Sequence, residues 1–325
     1  MFYIGDYKLE NNLLLAPMAG ITDYPFRKLC RSFGAGLTTS EMVTSDTRLW
    51  KSNKSRTRLI HHIEDNFINS VQIAGYNPDM MADAARECVK LGAQVIDVNM
   101  GCPAKKVCNK AAGSALLRDE GLVKEILSAI VSTVDVPVTL KFRTGWSPLL
   151  RNAIAIAQIA ESSGISSLAL HGRSKQDAYK GFAEYETIRH VKASIQIPVV
   201  ANGDIRSEND VAFLLRYTKA DGVMLGRATW GQPWIFEQLT HYLKTGEHLV
   251  PPLLDERLNI VLNHVMDIHS FYGDEAGVRI ARKHIGWYLD RITPDIRLKK
   301  RIFAITTPEK QLHEIEKVFL NIMQK

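Results

Sequence analysis

Between residues 13 and 227 the chain repeats one pattern eight times: a short β-rich run, apolar in most cases, generally followed by a longer stretch with apolar residues three and four apart. The runs are LLLAPM (13–18), GLTTSEM (36–42), SVQIAG (70–75), VIDVNMG (95–101), VTLKFRTG (138–145), SLALHGR (167–173), PVVANGDI (198–205) and GVMLGR (222–227). Near-continuous apolarity, rather than alternation, marks strands buried on both faces, as parallel strands beneath helices are. The intervening segments, such as PDMMADAARECVKLG and SENDVAFLLRYTKA, have helical spacing, and several open on an Asp or Ser suited to an N-cap. This repetition predicts an α/β chain whose strands close into a (β/α)8 TIM barrel. An open doubly wound sheet is the competing arrangement. Polar residues argue for the barrel: Met18, Glu41, Gln72, Asn99, Lys141, His171, Asn202 and Arg227 fall towards the C-terminal ends of all eight runs, where a barrel builds its site, rather than at one switch point.

After about residue 240 the strand pattern stops. TGEHLVPPLL, with two prolines and a glycine, reads as a linker, and DERLNIVLNHVMDIHSFYG, EAGVRIARKHIGWYLDRI and PEKQLHEIEKVFLNIM have helical spacing. The expectation is therefore a barrel over 1–242 followed by a small all-helical bundle over 243–325. Apolar and charged fractions of 46% and 23% suit a globular chain with a substantial core. The opening MFYIGDYKLENN lacks a basic stretch followed by an apolar one, and no run approaches the ~18 apolar residues of a membrane span, so a cytoplasmic protein with no membrane partner is expected. Cys30, Cys88, Cys102 and Cys108 are widely spaced and form no CxxC pair, which argues against a disulfide framework or a thiolate zinc site; no metal is expected.

A net charge of +6 and a pI near 9.0 permit a polyanionic partner without requiring one. The distribution says more. Residues 279–301 carry Arg279, Arg282, Lys283, Arg291, Arg297, Lys299, Lys300 and Arg301 against Asp290 and Asp295 alone, with His284, Trp287 and Tyr288 interleaved. Such a mixture suits phosphate contacts and stacking on unpaired bases. A solvated helix face with its aromatics turned into the bundle core is the alternative.

No GxGxxG follows a strand and no GxxxxGK[ST] occurs, so a phosphate must be held in another way. Barrels often use the loops after their seventh and eighth strands, where ANGDI (201–205) and LGRATWG (225–231) lie. Gly203 and Gly226 let backbone donors approach closely, and Arg227 adds a charge-assisted contact. Lys141 interrupts an apolar strand, where a lone ammonium is costly unless it meets an anion. One partner is the N1/O2 edge of a flavin, which becomes negative on reduction; a Schiff-base lysine is the competing reading. Gln72 and Asn99 can offer amide hydrogen bonds to a planar ring and favour the flavin. Cys102, held between Gly101 and Pro103 at a strand end, can then donate a proton to one carbon of a double bond while hydride reaches the other. Cys30 and Cys88, inside helical patterns, read as buried apolar residues.

APMAGITDYPFR (16–27), TTSEM (38–42), VQIAG (71–75), DVNMGCPAKKV (97–107), GSALL (113–117), LKFRTGW (140–146), LHGR (170–173), ANGDI (201–205) and GRATWGQPWIF (226–236) together resemble the tRNA-dihydrouridine synthases. YKGFAEYETIRHVK (179–192) and RKHIGWYL (282–289) are most similar to the bacterial B-type branch. The resemblance implies an FMN enzyme, reduced by NADPH, that reduces the C5–C6 double bond of a uridine in the tRNA D-loop, position 17 for this branch. It implies that Cys102 is the general acid to C5 while the flavin N5 hydride goes to C6. Pro17, Met18, Ala19, Gln72, Lys141, His171, Asn202, Gly203, Asp204, Gly226 and Arg227 are implied around the cofactor, and Asn99 and Arg143 near the target base. In the tail it implies tRNA contacts by Arg279, Arg282, Lys283, Lys299, Lys300 and Arg301. A monomer is expected in the absence of RNA. A flavoenzyme acting on free pyrimidines, similar to dihydroorotate or dihydropyrimidine dehydrogenases, would need no basic tail and is the main rival. A catalytically silent RNA-binding barrel is a third possibility, opposed by Cys102, Lys141 and His171.

Overall fold

The computed structural model describes residues 2–59 and 67–324. Its strands are β1 (Phe2–Ile4), β2 (Tyr7–Leu9), β3 (Leu13–Leu15), β4 (Leu37–Thr38), β5 (Val43–Thr44), β6 (Ser70–Ala74), β7 (Val95–Met100), β8 (Val138–Arg143), β9 (Ser167–His171), β10 (Val199–Asn202) and β11 (Gly222–Leu225). β3 to β11 form one parallel sheet in the order β4-β3-β11-β10-β9-β8-β7-β6-β5. The two edges of that sheet, β4 and β5, come from one short stretch of chain, so the sheet closes on itself as an eight-stranded barrel with a broken second strand. At the break Ser40 supplies the missing rungs: its N–H donates to the Ser70 carbonyl at 2.9 Å and its Oγ accepts from the Gln72 N–H at 3.2 Å. A side chain taking a ladder position in this way is what interrupts regular pairing.

The longer helices between strands, Pro78–Lys90, Glu120–Val131, Ala153–Ser162, Glu186–Ser194 and Glu208–Thr218, bury an apolar stripe each. In Pro78–Lys90, Asn77 caps the first turn by accepting from the Met80 N–H at 2.9 Å, Pro78 occupies the first turn, and Met81, Ala84, Ala85 and Cys88 face inward. Cys30 and Cys88 are fully buried, and burial pushes the Cys88 thiol up to about 12, so it packs as an apolar residue. One element was not expected from sequence: β1 and β2 form an antiparallel hairpin. Its Phe2, Ile4 and Leu9 join Leu14, Leu37, Val95, Ala169, Val200 and Met224 in a single apolar cluster. Three of those strand residues lie near strand starts, so the hairpin closes the end of the barrel opposite the strand termini. This leaves the C-terminal ends as the open mouth.

The chain divides into two compact units, residues 1–27 with 34–226, and residues 28–33 with 227–325. The division falls earlier than the linker expected near 242, because Trp234, just ahead of helix Ile235–Thr245, lies in the core of the C-terminal unit. Gly246, at φ +78, ends that helix in the left-handed conformation. The C-terminal unit contains helices Leu254–Tyr272, Asp274–Asp290, Ile296–Phe303 and Pro308–Met323, the third of them too short to register as a periodic segment. Val261, Val265, Ile268, Ile285, Ile315 and Phe319 form its core.

Two buried histidines in that core make its stability depend on pH. His264 Nδ1 lies 3.0 Å from the Tyr288 hydroxyl, and the His284 ring meets His264 edge-on at 4.8 Å. Burial, with help from the nearby Lys283 charge, depresses His264 to about 3, and His284 is also held far below its ordinary value by burial, His264 and Lys283. Unfolded histidines titrate near 6.5, so as pH falls below that value the unfolded chain takes up protons that the fold refuses. For His264 the loss is about 1.4 kcal/mol per pH unit below 6.5. Urea unfolding at pH 7.5 and 5.0 is expected to show it, and equal midpoints at the two pH values would mean that the rings protonate without unfolding.

Candidate active site

Strand register brings the expected residues together at the barrel mouth. Gln72 pairs with Asp97, Asn99 with Lys141, Arg143 with His171, and His171 with Asn202 across successive strands. Within β8, alternation directs Thr139, Lys141 and Arg143 to one face, and in β7 it directs Asp97 and Asn99 likewise.

Cys102 follows β7 in a turn fixed from both sides. Asn99 Oδ1 accepts from the N–H groups of Gly101 (3.2 Å) and Cys102 (3.0 Å). The Cys102 carbonyl accepts from the Ser114 N–H (3.1 Å) and hydroxyl (2.9 Å), and from the Cys108 thiol at 3.5 Å. Gly113, at φ +63, allows this approach: a Cβ there would lie 2.8 Å from the Cys102 carbonyl oxygen. Burial raises the Cys102 thiol above its ordinary value, against the opposing influence of the Ala104 N–H and of the Arg143 and Lys141 charges. The group is a protonated thiol at neutral pH.

Lys141 donates to Asn202 Oδ1 at 3.2 Å, and the Asn202 amide donates to the Met224 carbonyl at 2.7 Å. Burial lowers the ammonium to about 8, with Arg143 acting in the same direction and Asp97 and Cys102 against it. His171 is 9% exposed at the end of β9, its ring tilted against Tyr179 at 6.5 Å. Gly203, at φ +127, packs so tightly that a Cβ would fall 2.7 Å from Ala183 and 3.1 Å from the His171 ring. At Gly226 the nearest atoms to such a Cβ are the Met18 sulfur at 3.6 Å and Ala16 at 3.9 Å, an ordinary van der Waals contact. Pro17 and Met18 are half-buried and Ala19 is exposed, in a turn where the Met18 N–H donates to the Thr22 hydroxyl at 2.8 Å. Arg227 is exposed and opens the second compact unit in a short turn, Arg227–Thr229.

Several expected site residues have structural partners. Arg143, 2% exposed, donates from Nε to the Gly101 carbonyl (2.8 Å) and from Nη1 to those of Ser174 (3.0 Å) and Ala178 (2.9 Å), so it braces the cysteine turn against the loop after β9. Asp204 Oδ2 accepts from Arg173 Nη2 (2.6 Å) and the Ala183 N–H (2.7 Å), tying together the loops after β9 and β10. In the tail, Arg279 pairs with Glu275 at 2.8 Å, Lys299 with Asp290 and Arg301 with Glu314. Arg282 donates to the Ile305 carbonyl at 3.1 Å, Lys283 is half-buried, and Lys300 is exposed. His284 and Tyr288 are buried in the bundle, and Trp287 stacks on Trp230 at 4.4 Å. The reading of these aromatics as base-stacking platforms is corrected: helical spacing turns His284 and Tyr288 into the core, and Trp287 is already covered by another indole.

Sequence reasoning passed over Asp97 and Thr139. Asp97, 4% exposed, accepts from the Gln72 amide at 2.6 Å and from the Thr139 hydroxyl at 2.7 Å. Burial raises it to about 6, opposed by those two hydrogen bonds and by Lys141. A carboxylate in the middle of VIDVNM was the available signal, of the same kind that drew attention to Lys141. Glu41, noticed only as a strand-end residue, accepts from the Gly20 N–H (2.5 Å) and from Arg58 (2.9 Å), which joins the first two loops of the mouth. Among the described residues no group of three or more His, Cys, Asp or Glu could hold a metal, and no helix is long and apolar enough to cross a membrane.

Residues 14–323 match the model of the dihydrouridine synthase family. The chain belongs to that family. It is 60% identical over 286 residues to tRNA-dihydrouridine synthase B of Pseudomonas aeruginosa, covering 88% of this chain and 86% of that protein. Against tRNA-dihydrouridine synthase B of Salmonella typhimurium it is 52% identical over 318 residues, 98% of this chain and 99% of that one. The chain also shares its fold with the old yellow enzyme homologue of Zymomonas mobilis, at a TM-score of 0.54 and 13% identity over 79% of this chain and 94% of that one. Histamine dehydrogenase from Rhizobium sp. 4-9 aligns at a TM-score of 0.57 and 11% identity, over the whole of this chain and 64% of that one. As a member of the family the chain is an oxidoreductase built on a TIM barrel, with the cysteine turn and the buried lysine at the barrel mouth.

Proposed function

We propose that the chain binds FMN at the barrel mouth, takes electrons from NADPH, and reduces the C5–C6 double bond of a D-loop uridine in tRNA, in the cytoplasm and as a monomer when free of RNA. The observation that carries the reading is the pairing of a protonated thiol at Cys102 with the buried ammonium of Lys141 on the neighbouring strand. The chain's own donors suit a flavin. Lys141 spends one of its three N–H groups on Asn202 and Gln72 one of its two on Asp97, which leaves donors for the ring. The compressed turn at Gly203, where a Cβ would fall 2.7 Å from Ala183, and the glycine at 226 suit a phosphate approached by backbone N–H groups. FMN, when bound, supplies the hydride that reaches C6.

Cys102 does the complementary half. Burial keeps its proton on Sγ until a base carbon is ready to accept it, and the Ala104 N–H, Arg143 and Lys141 then favour the thiolate left behind. Asn99 and Ser114 hold the turn so that the thiol does not drift. His171 borders the same space. The relatives' names, tRNA-dihydrouridine synthase B, favour tRNA over a free pyrimidine, and the basic residues of the C-terminal unit, the exposed Lys300 among them, suit phosphate contacts. Arg279, Lys299 and Arg301 would have to exchange their carboxylate partners for phosphates.

The test is flavin absorbance under anaerobic conditions. The protein is reduced with NADPH, then mixed with unmodified tRNA or, separately, with uridine and uracil. Reoxidation by tRNA alone is expected. Reoxidation by the free pyrimidines, or failure to bind FMN at all, would overturn the proposal.

A further inference from the structure

Four side chains on three adjacent strands form a continuous hydrogen-bonded line with the turn beyond them, and every link has a direction. Thr139 donates to Asp97 Oδ1 (2.7 Å), Gln72 Nε2 donates to Asp97 Oδ2 (2.6 Å), Asn99 Nδ2 donates to Gln72 Oε1 (2.8 Å), and Asn99 Oδ1 accepts from the N–H groups of Gly101 and Cys102. Gln72, Asp97 and Asn99 are all buried, at 1%, 4% and 8% exposure. An amide side chain can present either its oxygen or its nitrogen to a neighbour, so nothing within Gln72 or Asn99 fixes which way it points. An ionised carboxylate can only accept. Asp97 therefore compels Gln72 to turn its nitrogen inward and its oxygen outward; Gln72 in turn compels Asn99 to turn its nitrogen back and its oxygen towards the cysteine turn.

We propose that Asp97 is a positioning residue, whose acceptor-only carboxylate sets the direction of an amide relay that holds the backbone of Cys102. Its hydrogen bonds go to Gln72 and Thr139 and not to the thiol, so it acts through two other side chains, Gln72 and Asn99. Its consequence for turnover rests on the functional reading above, whereas the relay belongs to the folded chain alone. The same arrangement assigns Gln72 a second duty besides any flavin contact, since the N–H it has left to offer is the one that Asp97 does not take.

Reversing the polarity tests this. Asn99→Asp keeps an acceptor for the turn but removes the donor to Gln72, so two oxygens face each other; if Gln72 flips to serve residue 99, its oxygen then meets Asp97. Asp97→Asn alone is tolerated, because its oxygen can still accept from Gln72 while the Thr139 hydroxyl rotates to accept from its nitrogen. Combined, the two substitutions let the whole line run backwards: residue 97 donates to Gln72 Oε1, Gln72 Nε2 donates to residue 99, and residue 99 accepts from the turn. At pH 8 the flavin-free Asn99→Asp protein is expected to melt roughly 3–6 °C below wild type. The double variant should recover at least half of that loss. Alkylation of Cys102 by iodoacetamide, followed by mass, should be several-fold faster in Asn99→Asp than in the double variant, although both carry the same new charge beside the turn. If Asn99→Asp alone gives no folded protein, a folded double variant is the same rescue. Losses that simply add, or a double variant no better than Asn99→Asp in melting and thiol rate, would overturn the relay. Rescue in a chain that binds no FMN would leave the relay standing and remove the functional reading; tRNA reduction by wild type without rescue would do the reverse.

Discussion

Cys102→Ala is expected to lower single-turnover reduction of tRNA about 10²–10⁴-fold, the usual contribution of a positioned acid, while the flavin stays bound and is reduced by NADPH at the wild-type rate. Burial raises the thiol above its ordinary value, so at neutral pH even less of it is thiolate than in an exposed cysteine and it keeps the proton it has to give. The nearby Arg143 and Lys141 charges, which are too weak to ionise it in the resting site, become useful once the proton has left. Cys102→Ser keeps the shape and loses nearly as much, because a hydroxyl is a far weaker acid. The measurement is stopped-flow reoxidation of the reduced enzyme by unmodified tRNA. A variant that loses its flavin, or one that reoxidises at the wild-type rate, would remove Cys102 from the role of acid.

The barrel is legible in the sequence because parallel strands buried on both faces are apolar throughout, and eight such runs in succession leave few topologies open. The broken second strand is not, since its break depends on Ser40 taking a rung with its own side chain, a choice that composition does not announce. Nor is the N-terminal hairpin, whose three-residue strands are too short for periodicity and are held by apolar contacts with residues far along the chain. In the site, Cys102, Lys141 and His171 stand out as chemistry at strand ends or a charge within an apolar run. Their supports do not. Arg143 and Asp204 carry charges that suggest ligands, yet they spend them on carbonyls and an arginine contributed by distant loops, and only the folded backbone reveals that. The tail shows the same limit of pattern reading: its basic residues are real, but half of the six singled out for RNA are already paired with carboxylates. Long-range polar partnerships are three-dimensional facts, whereas burial patterns are one-dimensional ones.

Lys141→Met is expected to stabilise the flavin-free protein and to disable the enzyme. Burial depresses the ammonium from 10.5 to about 8, which corresponds to roughly 3 kcal/mol against keeping it charged in the fold. At pH 7 the folded chain bears that cost in full. As pH rises from 8 towards 10.5 the folded lysine sheds its proton while the unfolded one keeps its own, so wild-type stability climbs through that window and the methionine variant's does not. Methionine, of similar length and without charge, should therefore raise the unfolding free energy by about 2–3 kcal/mol at pH 7, with the advantage fading above pH 10. Against this, the variant leaves Asn202 Oδ1 without its donor and removes the one ammonium aimed into the mouth from β8, so FMN affinity and the rate of flavin reduction should both fall. Urea unfolding at pH 7 and 10 measures the first effect, and flavin retention on gel filtration the second. A less stable variant at pH 7 would mean that Asp97 and Asn202 already compensate the charge in the free chain; unaltered flavin binding would mean that the cost of burying Lys141 serves something other than the cofactor.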